Sequence, residues 1–265
     1  MTRKADRTSP GPYLLRVEVR RDPKAKADAY PYTIPAIRSL AEKETLEIHP
    51  KVTFLVGENG SGKSTLLEAV AVALRLNPEG GSQNFKFSTR RSHSQLHKDL
   101  TLILRAGLPE QRFFLRAESF FNVATQVERY GVVGSYGGRS LHEQSHGESF
   151  FALFRNRFGP HGLYVLDEPE AALSPQRQLE FLALLHDYAK RGAQFLIATH
   201  SPIIMAYPDA RIYTLGDGGL RETAYEDTEH FRITRNFLLA PAKSLAILMS
   251  EDSPQRPTGS PGEED

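Results

Sequence analysis

Residues 53–68, TFLVGENGSGKSTLLE, constrain this chain more tightly than any other stretch. A short β-rich apolar run, Thr53, Phe54, Leu55 and Val56, leads into Gly57, Glu58, Asn59, Gly60, Ser61, Gly62, Lys63 and Ser64, a match to G-x-x-x-x-G-K-[ST]. Thr65 follows, and then Leu66, Leu67, Ala69, Val70 and Ala73 recur at helical spacing. Strand, glycine loop and helix in that order form a phosphate-binding loop. The glycines let successive backbone N–H groups turn inward on an anion, and the helix N-terminus adds the positive end of its dipole. Lys63 is placed to reach the β- and γ-phosphates, and the Ser64 hydroxyl to bind Mg²⁺. The bland alternative is a glycine-rich strand-to-helix turn with an exposed lysine.

The rest of the chain alternates strands with helices. Residues 13–20 read as a strand, 22–28 as a charged loop, and 46, 48 and 52–56 as further sheet. The helix after the loop runs to about Leu76 and stops at NPEGGS. Residues 83–99 are polar and irregular. Residues 101–104 and 113–115 read as strands joined by a turn around Gly107, Leu108 and Pro109. The glycine- and tyrosine-rich stretch 129–138 reads as a mobile loop. A helix is expected over 145–158, a central strand at 163–166 and a Pro-started helix from Ser174 and Pro175 to about Arg191. Strands at 195–198 and 212–215, a turn at 216–219 and short helices at 229–239 and 241–249 complete the reading. The pattern defines an α/β fold with a mainly parallel sheet flanked by helices. One domain is expected over 13–250, with a short insertion within 77–145 and polar, disordered ends at 1–12 and 251–265. Ligands in such sheets lie beyond the carboxyl ends of the strands.

That places the loop at 57–64, the residues after Leu166 and the residues after Ala198 on one rim, and a fourth station lies at 144–149. LYVLDEP (163–169) ends an apolar strand in two acids. Asp167 can hold Mg²⁺ through its water shell, and Glu168 can polarise an attacking water as general base. The alternative is a pair of solvated acids capping a strand. ATHSP (198–202) puts His200 past a buried strand, where an imidazole can donate to a γ-phosphate; a lone histidine there is more often structural. In QSHGES (144–149), Ser145 and Glu148 form a capping box ahead of Phe150, Phe151, Leu153 and Phe154. A capped helix start with Gly147 beside the serine is also an anion site.

GENGSGKS, QSHGES, LYVLDEP and ATHSP, in that order, resemble the ATP-binding-cassette ATPase superfamily, as its Walker A, signature, Walker B and switch-histidine motifs. The match is most similar to the stand-alone, non-transporter branch, which includes chromosome-maintenance, double-strand-break-repair and recombination ATPases, and within it to compact AAA-type predicted ATPases. The resemblance spans about residues 46–215. It implies an ATPase with ATP and Mg²⁺ as cofactors and a homodimer that sandwiches two ATP molecules. Ser145, Gly147 and Glu148 of one protomer would face the γ-phosphate held by Lys63 and Ser64 of the other. Glu168 would be the catalytic base and His200 the γ-phosphate sensor. The chain departs from the pattern at three places. His146 replaces a signature glycine, AALS (171–174) stands where the D-loop ordinarily ends in aspartate, and no Q-loop glutamine is evident, Glu118 being the candidate for that metal-facing role. Tyr30, Tyr32 and Arg38 lie upstream of the loop as alternatives for contact with adenine.

Partners are read from charge and spacing. The interval from Lys63 to Ser145 holds no heptad repeat, so long coiled-coil arms are absent, and the stretch from Glu118 to Ser145 is short for a transporter-contacting helical subdomain. The net charge of +1 sets up no global field for nucleic acid or membrane. A local basic stretch nevertheless contains Arg75, Lys86, Arg90, Arg91, Lys98, Arg105, Arg112 and Arg116 against Glu79, Asp99 and Glu110, with His93 and His97 among them. It is a candidate DNA-tracking surface, the plain alternative being a solvated face. With 0 cysteines there are no disulfides, thiol catalysis or cysteine zinc sites, which fits a reducing cytoplasm. No apolar run approaches the ~20 residues of a membrane span, and MTRKADRTSPGP lacks the apolar core of a secretory signal. The expectation is a cytoplasmic, ATP-driven homodimer coupled to DNA repair or to a DNA-associated or other protein partner, with no membrane insertion of its own. The alternatives are the ATPase subunit of a membrane transporter and a nucleotide-gated module of a defence or toxin system. A phosphate-loop kinase is disfavoured by the adjacent Asp167 and Glu168.

Overall fold

The computed structural model describes residues 11–20, 29–43, 45–83, 94–105 and 108–250. Residues 1–10 of the expected disordered segment 1–12, the expected disordered segment 251–265, the charged loop 22–28, and Lys86, Arg90, Arg91, His93 and Gly107 lie outside the described residues. In chain order the elements are β1 (Leu14–Val19), α1 (Pro35–Lys43), β2 (Thr45–Glu47), β3 (Val52–Val56), α2 (Lys63–Ala73), β4 (Gly81–Ser82), β5 (Leu100–Leu104), β6 (Gln111–Arg116), α3 (Phe120–Arg129), α4 (His146–Arg157), β7 (Gly162–Asp167), α5 (Pro175–Lys190), β8 (Gln194–Ala198), α6 (Pro202–Met205), β9 (Ala210–Gly216), β10 (Gly219–Glu222), α7 (Glu229–Leu239) and α8 (Pro241–Leu248).

The main sheet has the order β10-β9-β3-β8-β7-β6-β4. Its five inner strands are parallel, and β10 and β4 close the edges antiparallel. β3, β7 and β8 are buried along their whole length, as strands covered on both faces must be, and this is why they read as unbroken apolar runs. Successive β3 side chains feed opposite cores. Phe54 joins a cluster with Phe150, Phe154, Phe181 and Tyr188 under α4 and α5. Leu55 joins one with Ile37, Leu40, Leu66 and Val70 under α1 and α2. The first cluster is aromatic, with Phe154 at 4.5 Å from Phe158 and 5.2 Å from Phe181. Truncating such a ring costs about 3–5 kcal/mol.

A second sheet, β2-β1-β5, is antiparallel. The two strands expected to be joined by a turn therefore part: β5 pairs with β1, and β6 enters the main sheet beside β7. One buried side chain ties the sheets together. Gln194 accepts from Tyr13 N and Leu14 N (2.9 Å each) and donates to Leu14 O (2.8 Å) and His49 O (2.9 Å). All four of its hydrogen-bonding positions are used, which lets an amide sit at 0% exposure.

Three helices escape the sequence reading, α1, α3 and the four-residue α6. α1 buries Ala36, Ile37 and Leu40 among charged neighbours, and α3 buries Val123, Ala124 and Val127 among Asn122, Thr125 and Gln126, each a stripe of only three apolar residues. The stretch expected as a loop at 129–138 is built on Tyr136, which is buried with the Arg157 guanidinium 5.0 Å from its ring. Gly11 is likewise fixed, its N–H donating to Gly192 O at 3.0 Å. At the other end, α7 and α8 bury no side chain below the surface. Among the described residues, no helix is long and apolar enough to cross a membrane.

Candidate active site

The parallel strands β3, β7 and β8 end on one rim, where the phosphate loop, Asp167 with Glu168, and His200 follow them. After β3 the chain turns through Gly57, Gly60 and Gly62, all at positive φ. At Gly57 a Cβ would lie 2.1 Å from Leu215 O, and at Gly62 it would lie 2.8 Å from Ile34 Cγ2. Both positions combine a left-handed backbone with a close neighbour, so they require glycine. α2 then starts at Lys63. The lysine is 4% exposed and folds back over the loop, donating from Nζ to Gly57 O (2.7 Å) and Glu58 O (3.0 Å). Burial holds its pKa below the ordinary range, against the pull of Glu168, Asp167 and Glu58.

Ser64 is drawn to the neighbouring station. Its hydroxyl donates to Asp167 Oδ1 at 3.1 Å, closing the gap between α2 and the end of β7. Asp167 is 4% exposed, and burial lifts its pKa to about 6 although Arg116 and Ser64 act in the other direction. The β6–β7 register places Arg116 directly beside Asp167. The guanidinium is shared among Glu68 Oε2 (2.9 Å), Glu118 Oε2 (2.9 Å) and Asp167 Oδ2 (3.8 Å). Glu118 thus reaches the acidic cluster through Arg116, with a side chain that is 79% exposed. Arg116 is a site residue that sequence reading placed in a basic surface, because its cross-strand neighbour is invisible without the register.

Glu168 leaves β7 in the left-handed region (φ 53, ψ 53), its N–H held by Ala198 O at 3.0 Å. This conformation is uncommon for a residue with a long side chain, and it turns the carboxylate toward β8. There Glu168 Oε1 comes within 3.5 Å of His200 Nε2. His200 is fixed at its backbone by Glu170, which accepts from its N–H at 2.6 Å, and at its ring by His230, whose Nε2 is 3.0 Å from Nδ1. His230, on α7, is the second site residue the sequence reading missed. It lines a cavity of about 400 Å³ with residues 57–61 of the loop and residues 216–219 of the β9–β10 turn.

Ser145 caps α4, accepting from Glu148 N at 3.4 Å while Glu148 Oε2 accepts from Ser145 N at 2.9 Å. Ser145 and Glu148 are exposed, as groups meant for another molecule would be, and Gly147 is half-buried against Ala172. Of the upstream residues, Tyr32 is buried and bonded to Asp99, and Arg38 donates to Tyr32 O at 3.2 Å. Tyr30 is 63% exposed, with its hydroxyl 3.3 Å from Thr65 Oγ1 on α2.

The donor set fits a magnesium nucleotide. Ser64 and Asp167 already meet, Lys63 and the loop amides surround the phosphate position, and among the described residues no cluster of three or more acidic or histidine ligands offers an all-protein cage. Mg²⁺ is ordinarily held this way, by one or two protein groups together with substrate phosphates. A glycine loop opening a helix, a buried aspartate and an adjacent glutamate on one rim of a parallel sheet define a phosphate-loop nucleoside triphosphatase.

The comparisons narrow that class. A family model described as "AAA domain" matches residues 33–139, and one described as "AAA domain, putative AbiEii toxin, Type IV TA system" matches residues 111–206. The chain is 30% identical over 167 residues to the cytochrome c biogenesis ATP-binding export protein CcmA of Rhizobium etli, covering 56% of this chain and 75% of that one. It is 32% identical over 164 residues to the thiamine import ATP-binding protein ThiQ of Cereibacter sphaeroides, covering 56% and 70%. Among solved structures, the SMC head domain from Thermotoga maritima aligns with 80% of this chain and 98% of that chain, at 16% identity and a TM-score of 0.41. The chain belongs to the ABC-type P-loop ATPases, which bind ATP with Mg²⁺ and hydrolyse it.

Proposed function

We propose that residues 13–250 act as one ATPase unit, with an insertion within 77–145, and that two copies close on two ATP molecules. The observation that carries this reading is the exposed, capped start of α4, a helix N-terminus open to an anion from another molecule. Residues 57–62 cradle the phosphates with backbone N–H groups, Lys63 neutralises the β- and γ-phosphates, and Thr65 stands at the helix start beside Tyr30, which stacks on adenine. Ser64 and Asp167 hold Mg²⁺, which when bound stabilises charge on the phosphate oxygens. Glu118, read as the metal-facing residue in place of a Q-loop glutamine, pairs with Arg116 at 2.9 Å and would face that metal from the same cluster. Glu168 orients and deprotonates water, and His200 contacts the terminal phosphate. Ser145, Gly147 and Glu148 complete the partner's site.

The work coupled to this cycle is proposed to be DNA maintenance or repair, through DNA itself or a DNA-bound partner. The support is the basic stretch 75–116, although Arg112, bonded to Leu74 O and Pro109 O, and Arg116, inside the acidic cluster, are taken up by the fold. A second reading, the ATPase subunit of a transporter, is favoured by the relatives described as export and import ATP-binding proteins. A third, a module of a defence or toxin system, draws on the toxin description of one matching model.

Steady-state ATPase measured at low salt with and without duplex DNA, with Lys63→Ala as the blank and ATP binding measured alongside, separates these readings. Stimulation that fades as salt rises supports DNA as effector. A rate above the blank that ignores DNA and rises only on adding a membrane partner supports the transporter reading. A rate indistinguishable from the blank with tight ATP binding supports the nucleotide-gated defence or toxin module, and the same rate without ATP binding would contradict the residue assignments.

A further inference from the structure

Two imidazoles meet beside the phosphate loop. His200 follows β8, and His230 lies in the first turn of α7. His200 Nδ1 and His230 Nε2 are 3.0 Å apart, with ring centroids 5.2 Å apart and the rings inclined at 55°. A contact this short needs one proton between the two nitrogens, so one ring donates and the other accepts.

The surrounding charge decides the direction. On its far side, His200 Nε2 is buried without a hydrogen bond and faces Glu168 Oε1 at 3.5 Å. With the proton on Nδ1, Nε2 would turn a lone pair toward that carboxylate. With His230 as donor, His200 keeps its proton on Nε2, and the positive N–H end points at Glu168 and the phosphate side. Coulomb's law favours the second arrangement. Doubly protonated rings would oppose donor to donor, and burial together with the Lys63 ammonium holds both histidines below their ordinary pKa, although Glu58 pulls each upward. The groups that bear on the pair are thus Glu58 and Lys63 from the loop, Glu168 from the end of β7 and Glu229 from α7 itself.

His230 is built to stay in place. Thr228, 1% exposed, caps α7 by accepting from Phe231 N (3.4 Å) and anchors itself on Tyr225 O (2.7 Å). Tyr225 in turn donates to Pro202 O at 2.9 Å, two residues beyond His200, and packs on Phe231 at 4.6 Å between centroids. Donor and acceptor are therefore braced against one segment.

We propose that His230 is a positioning residue: its Nε2–H holds His200 in the tautomer that presents an Nε2–H to the terminal phosphate of ATP. The proposal rests on the reading of His200 as the phosphate contact. Partners that orient a working imidazole commonly cost roughly 10- to 100-fold in activity when removed. The test is the ring ¹⁵N spectrum of the full-length, nucleotide-free protein at neutral pH, together with ATP turnover. His200 is expected to show a protonated Nε2 and a bare Nδ1. In His230→Phe, which keeps a ring but no donor, that pattern should become mixed, and kcat should fall about tenfold with KM within about twofold. His230→Gln, whose amide N–H can replace the donor, should recover both spectrum and turnover. A wild-type His200 protonated at Nδ1, or a His230→Phe protein matching wild type in spectrum and kcat, overturns the proposal. His200→Ala tells the two failures apart. Full turnover in that variant removes the phosphate-contact reading, whereas loss of turnover there with none in His230→Phe removes the role of His230 alone.

Discussion

Asp167 shows at the residue scale what burying a charge in the site does. It is an acid at 4% exposure, and burial moves its pKa from 3.8 to about 6. The folded chain therefore keeps the proton where the unfolded chain has released it. Metal-free stability falls as pH rises from 3.8 to about 6, and the whole loss is present above that. At 1.36 kcal/mol per unit the span corresponds to about 3 kcal/mol. Asp167→Asn should flatten this part of the stability profile, measured by denaturant titration in chelator, and raise stability at pH 7 by about 1–3 kcal/mol while abolishing Mg-dependent turnover. Parallel profiles for the two proteins would show that the buried charge is not costly. Gly57 makes a second residue-scale case. Gly57→Ala would meet a backbone carbonyl at 2.1 Å, so a loss of at least about 2 kcal/mol in thermal or denaturant melts is expected, with ATP affinity falling in step.

Helix starts are the feature that sequence reading captured best at the element scale. Ser145 before α4 and Ser174 and Pro175 at α5 cap as their types require, because a cap is a bond between residues three apart. α1, α3 and α6 were not legible, since stripes of three apolar residues or a single four-residue turn are too short for a helical period to stand out. The caps also separate structure from function. Ser145→Ala should lower the stability of the ATP-free protein by about 1 kcal/mol, and Ser145→Thr should restore it. Should turnover fall far more than that stability change explains, the serine has a second task at the partner's phosphate. Turnover that simply follows stability would leave it as a cap.

The dimer is tested on the whole molecule. Glu168→Gln should bind Mg-ATP, lose turnover and sediment as a dimer; a persistent monomer would contradict the sandwich. Lys63→Ala and a Ser145 variant, each inactive alone, should regain turnover on mixing, because a mixed pair holds one site with an intact loop and an intact facing cap. Silence from the mixture, with both proteins folded, would argue that each chain works within its own site.

The sequence by itself determined the phosphate loop, the acidic pair at the end of β7, the capped helices and the mainly parallel sheet. Each is written in residues a few positions apart, through turn geometry, capping and side-chain period. Tertiary structure alone decided what those groups meet. It set Arg116 beside Asp167 through a strand register, His230 against His200 from a helix 30 residues further on, and Gln194 between two sheets. It also sent β5 and β6 into different sheets although they are neighbours in the chain. Such pairings depend on which elements pack together, and their polar partners are fixed by burial and by the need to satisfy every buried donor and acceptor, conditions that exist only once the chain has closed on itself.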